Sequence, residues 1–224
     1  VWHLQRGQHG GLPAKHHDIG RDTANVCEAI PRGDGVSEQR VKVAWQTFPL
    51  HLLIGGVHRG FEASMDVSAD LFELAHTQMI VVCSGPKVIL DLPRTREALE
   101  TMGVTLVGYR TDDMPAFWAR HSGLAVDMRA NRPQDIAAVA RARAALGIGG
   151  SILVCNPVTP DLAIDIDEIE GWIASCIDDA PAGAAATPWL LAEIARRSGG
   201  RSLAANKQLI IDNAALAGAI AACL

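Results

Sequence analysis

The sequence predicts a layered α/β fold, on three observations. Short apolar runs rich in β-branched residues recur through the last three quarters of the chain: MIVVC at 79–83, VTLVGY at 104–109 and SILVC at 151–155. Segments with the apolar spacing of helices alternate with them. Glycine, proline and serine mark the joins. Strands alternating with helices argue for helices packed on a sheet, and runs that are apolar throughout read as buried strands.

The elements follow in order. Val41 to Trp45 has the look of a short strand. Ser68 is an N-cap for a helix over Ala69–Thr77, with Leu71, Phe72, Leu74 and Ala75 as its apolar face. Met79–Cys83 is a strand bounded by Ser84-Gly85-Pro86. Arg94–Met102 is a helix closed by Gly103, and Val104–Tyr109 is the next strand. Leu124–Met128 is assigned as a strand. Arg132-Pro133-Gln134-Asp135 opens a helix to about Leu146, which Gly147 and Gly149-Gly150 end before the strand Ser151–Cys155. Ile166–Cys176 is helical. Thr187-Pro188 reads as an N-cap with proline at the first helical position, starting a helix to about Ser198. A last helix runs from about Ser202 to the end. Residues 1–53 differ: outside the short strand, their apolar residues keep no sustained helical or strand period.

Bulk properties narrow the function. The chain has 224 residues, about half of them apolar, enough to bury a sizeable core. Its net charge of -5 gives no basic excess of the kind nucleic-acid binders show. A small phosphorylated ligand needs only a few local cations or a helix N-terminus. Five separated cysteines without a CxxC pair read as buried free thiols in a reducing compartment. No apolar leader stands at the N-terminus, and the longest apolar run, Ala214–Leu224, is about half of the roughly 20 residues a membrane span needs. A cytoplasmic protein is the simplest expectation.

Several clusters can carry chemistry. Ile54-Gly55-Gly56-Val57-His58-Arg59-Gly60 lets backbone approach a ligand closely and adds a titratable His58 and a phosphate-matching Arg59; it also reads as a plain turn. Asp66 and Asp70 flank a helix start, where acids suit both a hard divalent cation and the helix dipole. Lys87 follows a buried strand, where ligands bind in α/β folds. With an ordinary pKa near 10.4, about one lysine in 2,500 is free amine at pH 7, so a nucleophilic role needs about 4 kcal/mol of environmental bias. A lysine that snorkels to solvent is the competing reading. Asn156-Pro157 ends a strand. Asn206 and Asn213 lie two turns apart on one side of the last helix, either buried with partners or solvated. His3, His9, His16 and His17 match no zinc-site spacing.

Seven stretches together resemble the pseudouridine-5'-phosphate glycosidase (indigoidine synthase A-like) family: IGGVHRG (54–60), MDVSADLFELA (65–75), VVCSGPKVILDLPRTREALETMGV (81–104), GYRTDDMPAFW (108–118), ILVCNPV (152–158), ATPWLL (186–191) and SLAANKQLIIDNAALA (202–217). The resemblance covers residues 54–224. It implies a three-layer α/β/α sandwich, incomplete here at the N-terminus, and a manganese-dependent homotrimer. It implies cleavage of the C–C glycosidic bond of pseudouridine 5'-phosphate to uracil and ribose 5-phosphate. By resemblance Lys87 is the nucleophile at C1', Asp66 the Mn²⁺ ligand, and Ser68, Ala69 and Asp70, with His58, bind substrate. Asn206 corresponds to an active-site asparagine near the opened sugar. An amine nucleophile suits a bond whose leaving group has no heteroatom to protonate.

Residues 1–53 depart from that family. Its ALEST-like segment with the proton-donor glutamate, a lysine ahead of an SRRD-like run, and a TTVAST-like stretch have no counterpart there. The expectation is a truncated, out-of-frame or divergent member. Two other readings stand beside the enzyme: a non-catalytic remnant that binds sugar phosphate or related subunits, and a Schiff-base lyase of aldolase type.

Overall fold

The structure is a computed structural model that describes residues 42–43, 54–181 and 186–224. Five strands form one sheet: β1 (Lys42–Val43), β2 (Met79–Cys83), β3 (Thr105–Tyr109), β4 (Met128–Ala130) and β5 (Ile152–Cys155). Their order is β1-β2-β5-β3-β4, and every pairing is parallel. The last strand in sequence therefore lies in the middle. It pairs Ile80–Cys83 on one side and Thr105–Gly108 on the other, so all four of its residues are buried.

The helices are α1 (Phe61–Ser64), α2 (Ala69–His76), α3 (Leu92–Thr101), α4 (Pro133–Ala145), α5 (Ile166–Ala174), α6 (Ala186–Arg197) and α7 (Arg201–Ala221). Two cores separate them into layers. On one face Leu71 and Leu74 of α2 and Leu99 of α3 join Leu106, Leu153 and Cys155 of the sheet; Ile169, Ile173 and Ile194 of α5 and α6 extend this core. On the other, Ile136 and Ala140 of α4 and Leu216 and Ile220 of α7 cover Ile80, Val82, Val107, Ile152 and Val154. Successive strand residues point to opposite faces. With an apolar layer on each side, MIVVC and ILVC must be apolar throughout. The three-layer α/β/α expectation holds. Among the described residues no helix is long and apolar enough to cross a membrane.

Most elements fall where the pattern puts them, and the shifts have local causes. Helix α3 starts at Leu92, two residues early, because the Asp91 carboxylate accepts the Arg94 N–H and caps it. The strand expected at Leu124–Met128 is Met128–Ala130 instead. Leu124 and Val126 are spent on the chain's own return: the Leu124 carbonyl accepts from Met114, and Val126 donates to Asp112. Thr187 lies inside α6, which begins at Ala186, so it is not the N-cap. In α4, which opens at Arg132-Pro133-Gln134-Asp135 as expected, the Asp135 carboxylate takes the N–H groups of Asn131 and Arg132. Of the strand expected at Val41–Trp45, Lys42–Val43 is observed and the rest lies outside the described residues, as do the other readings for residues 1–53.

Cys83 and Cys155 are register partners on the first core's face. Their mutual hydrogen bond and burial hold the Cys155 thiol well above its ordinary pKa. The described cysteines are free thiols, and Cys27 lies outside the described residues. Leu153 is fully buried at the centre of the sheet. Leu153→Ala is expected to lower the unfolding free energy by about 2–5 kcal/mol in urea titrations; a loss under about 1 kcal/mol would contradict its central place in the core.

Candidate active site

The site forms beyond the C-terminal ends of β2 and β5. The Asn156 N–H donates to the Cys83 carbonyl (2.8 Å), carrying the pairing one residue past β5. The chain leaving β2 then turns sharply. Gly85 has φ 86°, and a Cβ there would stand 1.8 Å from the Pro115 carbonyl oxygen, so glycine is required on both counts. Its N–H meets the Cys83 sulfur at 3.4 Å. Phe117 donates its N–H to the Ser84 carbonyl (2.9 Å), which fastens residues 115–118 over the turn. Lys87 emerges from this turn half-buried.

The glycine-rich run supplies the adjoining wall. Ile54 bridges Pro86 in parallel, Val57 bridges Val67, and His58 bridges Leu90. The Gly55 N–H donates to Asp70 Oδ2 at 2.7 Å, and the Gly56 carbonyl accepts from Ser68 at 2.9 Å. A Cβ on Gly55 would lie 2.2 Å from Ser68 Oγ, and one on Gly56 2.3 Å from Thr95 Oγ1. These glycines serve the close approach of three backbone segments. Thr95, fully buried, completes the joint: its hydroxyl accepts the Val57 N–H (3.0 Å) and donates to the Asp91 carbonyl (2.7 Å).

The Asp70 carboxylate acts on Lys87. Ser68 caps α2, its Oγ accepting the Asp70 N–H (3.3 Å). Burial lowers the Lys87 pKa from its ordinary value, and the nearby Asp70 carboxylate opposes part of that shift. A low-dielectric setting disfavours the ammonium form, which is the direction a nucleophile needs. His58 Nδ1 stands 3.5 Å from Asp66 Oδ2. Among the described residues no group of three or more His, Cys, Asp or Glu side chains could hold a metal. Asp66 supplies an oxygen donor of the kind hard cations take, and His58 stands beside it.

Arg59 is already engaged. Its guanidinium donates to the Val88 (2.9 Å) and Ile89 (3.1 Å) carbonyls and pairs with Glu170. It ties the Lys87 loop to α5, so the phosphate-binding reading of this arginine gives way to a structural one.

The last helix reaches the same region. Asn206 Oδ1 accepts from Trp118 Nε1 at 2.7 Å; indole nitrogen can only donate, which fixes the amide's orientation. Asn213 contacts Ser84 and Asn156. Of the two residues expected on one side of the helix, Asn213 is thus turned to the strand ends and Asn206 to Trp118. Gln208 and Asp212, both half-buried, bond to each other along the helix.

The structure sets Asp70 against Lys87, places Ser68 as the cap of α2 with Ala69 its exposed first residue, and pairs His58 with Asp66 on the adjoining wall. Asn206 joins through Trp118, whose neighbour Phe117 holds the Ser84 carbonyl. Sequence reasoning missed Thr95 and Trp118 as site-building residues. A threonine facing a helix's buried side and a tryptophan in MPAFW carry no signal by type or spacing that distinguishes them from core residues.

Lys87 should titrate below the other lysines when its dimethylated amine is followed by NMR. Asp70→Asn removes an attraction to the ammonium form, so the Lys87 midpoint should fall further. A midpoint that stays with the bulk lysines, or rises in Asp70→Asn, would contradict this electrostatic picture.

Comparison with known proteins identifies similar sequences and folds. The profile of the family described as "Indigoidine synthase A like protein" matches residues 51–223. A pseudouridine-5'-phosphate glycosidase of Methylobacterium nodulans is 53% identical over 175 residues, 76% of this chain and 52% of that protein. That of Sorangium cellulosum is 44% identical over 97% of this chain and 69% of its own length, so its alignment also reaches residues ahead of Ile54. The chain spans about half the length of the curated relatives it matches. The crystal structure of an indigoidine synthase A-like protein from Thermotoga maritima superposes with a TM-score of 0.70 at 37% identity, over 75% of this chain and 56% of that one. The prealnumycin C-glycosynthase AlnA, solved in complex with ribulose 5-phosphate, superposes with a TM-score of 0.72, also at 37% identity, over 77% of this chain and 58% of that one. With the profile spanning most of the chain and the glycine wall, capped helix and strand-end lysine in one place, the chain belongs to the indigoidine synthase A-like family.

Proposed function

We propose that this chain cleaves the C–C glycosidic bond of pseudouridine 5'-phosphate, giving uracil and ribose 5-phosphate, with Lys87 as nucleophile. One observation carries the reading: Lys87 is an amine whose pKa burial depresses, held at a strand end beside Asp70 and the capped start of α2. The names of the relatives support the substrate, and the AlnA complex supports a five-carbon sugar phosphate as the ligand class.

The bonds balance as follows. The Lys87 amine attacks C1' as the ring C1'–O4' bond breaks, and O4' takes up a proton. The lone pair of the attached nitrogen then expels uracil through C5, which also gains a proton. This leaves an imine between Lys87 and C1'. Water hydrolyses the imine to ribose 5-phosphate and frees the amine. Both proton transfers call for positioned acids. Ser68, Ala69 and Asp70 at the start of α2, with His58 opposite, would hold the sugar phosphate, the N–H groups of the first turn favouring its negative charge. Asn206 would face the opened sugar. Mn²⁺ belongs to the same proposal: Asp66, with His58 beside it, would hold the ion, which supplies positive charge to a substrate oxygen when bound. A homotrimer is part of the reading as well, tested by light scattering of the purified chain.

The direct test incubates the full chain with pseudouridine 5'-phosphate and Mn²⁺ and follows uracil release. Lys87→Ala should lower turnover at least about a thousandfold, as removal of a covalent nucleophile does. Turnover that survives the substitution would overturn the mechanism. An imine adduct without uracil release would favour the second reading, sugar-phosphate binding without turnover.

A further inference from the structure

Helix α7 carries two polar side chains deep in its buried side: Ser202, which bonds the nearby Ser198, and Asn213, whose partners lie far away in the chain. Asn213 is 1% exposed. It stands where the helix passes from one core to the other, with Ala205 and Leu209 before it and Leu216, Ala217 and Ile220 after it. An apolar residue there would join the two cores without burying an amide, and a buried amide must find partners. Asn213 finds them at both strand ends. Its Oδ1 accepts from Asn156 Nδ2 at 3.0 Å, and its Nδ2 donates to Ser84 Oγ at 2.9 Å. Asn156 is the residue after β5, and Ser84 the residue after β2. Ser84 is itself fully buried and begins the turn that ends in Lys87.

We propose that Asn213 is a positioning residue for Lys87, acting through Ser84: it clamps the ends of β2 and β5 to each other and so fixes where the Ser84–Lys87 turn leaves the sheet. The inference rests on the reading of Lys87 as nucleophile and adds a residue whose side-chain hydrogen bonds go to Ser84 and Asn156. Three features make the clamp effective. The Phe117 N–H already fixes the Ser84 carbonyl, so the side-chain bond to Asn213 sets the remaining orientation of the peptide. Gly85 and Pro86 follow immediately, one wedged against the Pro115 carbonyl and the other bridged to Ile54, so a displacement at Ser84 has no slack to absorb it before Lys87. The three polar groups come from three separate elements, so the network locks their relative placement rather than a local turn. Reaction rates respond steeply to ångström-scale misplacement of a nucleophile, while substrate binding need not.

The test measures borohydride trapping of ribose 5-phosphate on the full chain, as a maximal rate and a half-saturating concentration, for the parent, Asn213→Leu, Ser84→Ala and the double variant. Leucine keeps the number and branching of the asparagine's side-chain atoms but is bulkier, and Ser84→Ala removes a single oxygen, so the latter carries the test if the former does not fold. Each single variant should lower the maximal rate at least tenfold and move half-saturation less than twofold. The double variant should be no slower than the slower single variant, because both remove the same contact. Lower thermal stability with an unchanged maximal rate in the folded protein would overturn the inference and leave Asn213 a structural residue. Losses that multiply in the double variant would overturn the route through Ser84. A parent chain that forms no adduct would overturn the reading of Lys87 and this inference with it; a parent that traps while Asn213→Leu traps equally fast would overturn this inference alone.

Discussion

The backbone turn at Gly85 decides where Lys87 stands. Its φ of 86° and the Pro115 carbonyl pressed against its α-carbon leave one path for the chain out of β2. The start of that path is fixed by a strand buried on both faces and paired along its length to β5. The end is fixed by the Ile54–Pro86 bridge. Lys87 lies half-buried at the end of that path. Its charge state is then set by the protein, through burial against the opposing pull of Asp70.

The same rigidity explains the glycines opposite. Gly55 and Gly56 bring the 54–58 segment so close to Ser68 and Thr95 that any side chain would collide. That closeness lets the Gly55 N–H hold the Asp70 carboxylate and thereby set the distance over which Asp70 acts on Lys87. Backbone fit and electrostatics are one arrangement here. The Arg59 contacts with the Val88 and Ile89 carbonyls and with Glu170 secure the far side of the loop.

Much of this was legible in the sequence because its causes are local. Continuous apolar runs announce strands covered on both faces, and Ser68 and Asp70 announce a helix start. The resemblance joined IGGVHRG, SADL and SGPK into one site before any contact was known. Legibility failed where a residue's role depends on a distant partner. Arg59 reads as a phosphate ligand until its contacts with Val88, Ile89 and a glutamate 111 positions away are seen. Thr95 reads as one more residue of an amphipathic helix until its hydroxyl is found under Val57. Leu124–Val126 has strand composition, but its backbone groups serve the return from Met114, so the ladder starts at Met128. Asn213 lies between these cases: its place on the helix was readable, and its partner Ser84, 129 residues earlier, was not.

The central claim is that Lys87, held by this turn, is the amine that bonds to the sugar. The chain contains four lysines: Lys15, Lys42, Lys87 and Lys207. Peptide mapping by mass spectrometry after borohydride reduction in the presence of pseudouridine 5'-phosphate distinguishes them. A reduced pentose-phosphate adduct is expected on Lys87, with unmodified peptides for the other three. An adduct on Lys15, Lys42 or Lys207 with Lys87 unmodified would contradict it.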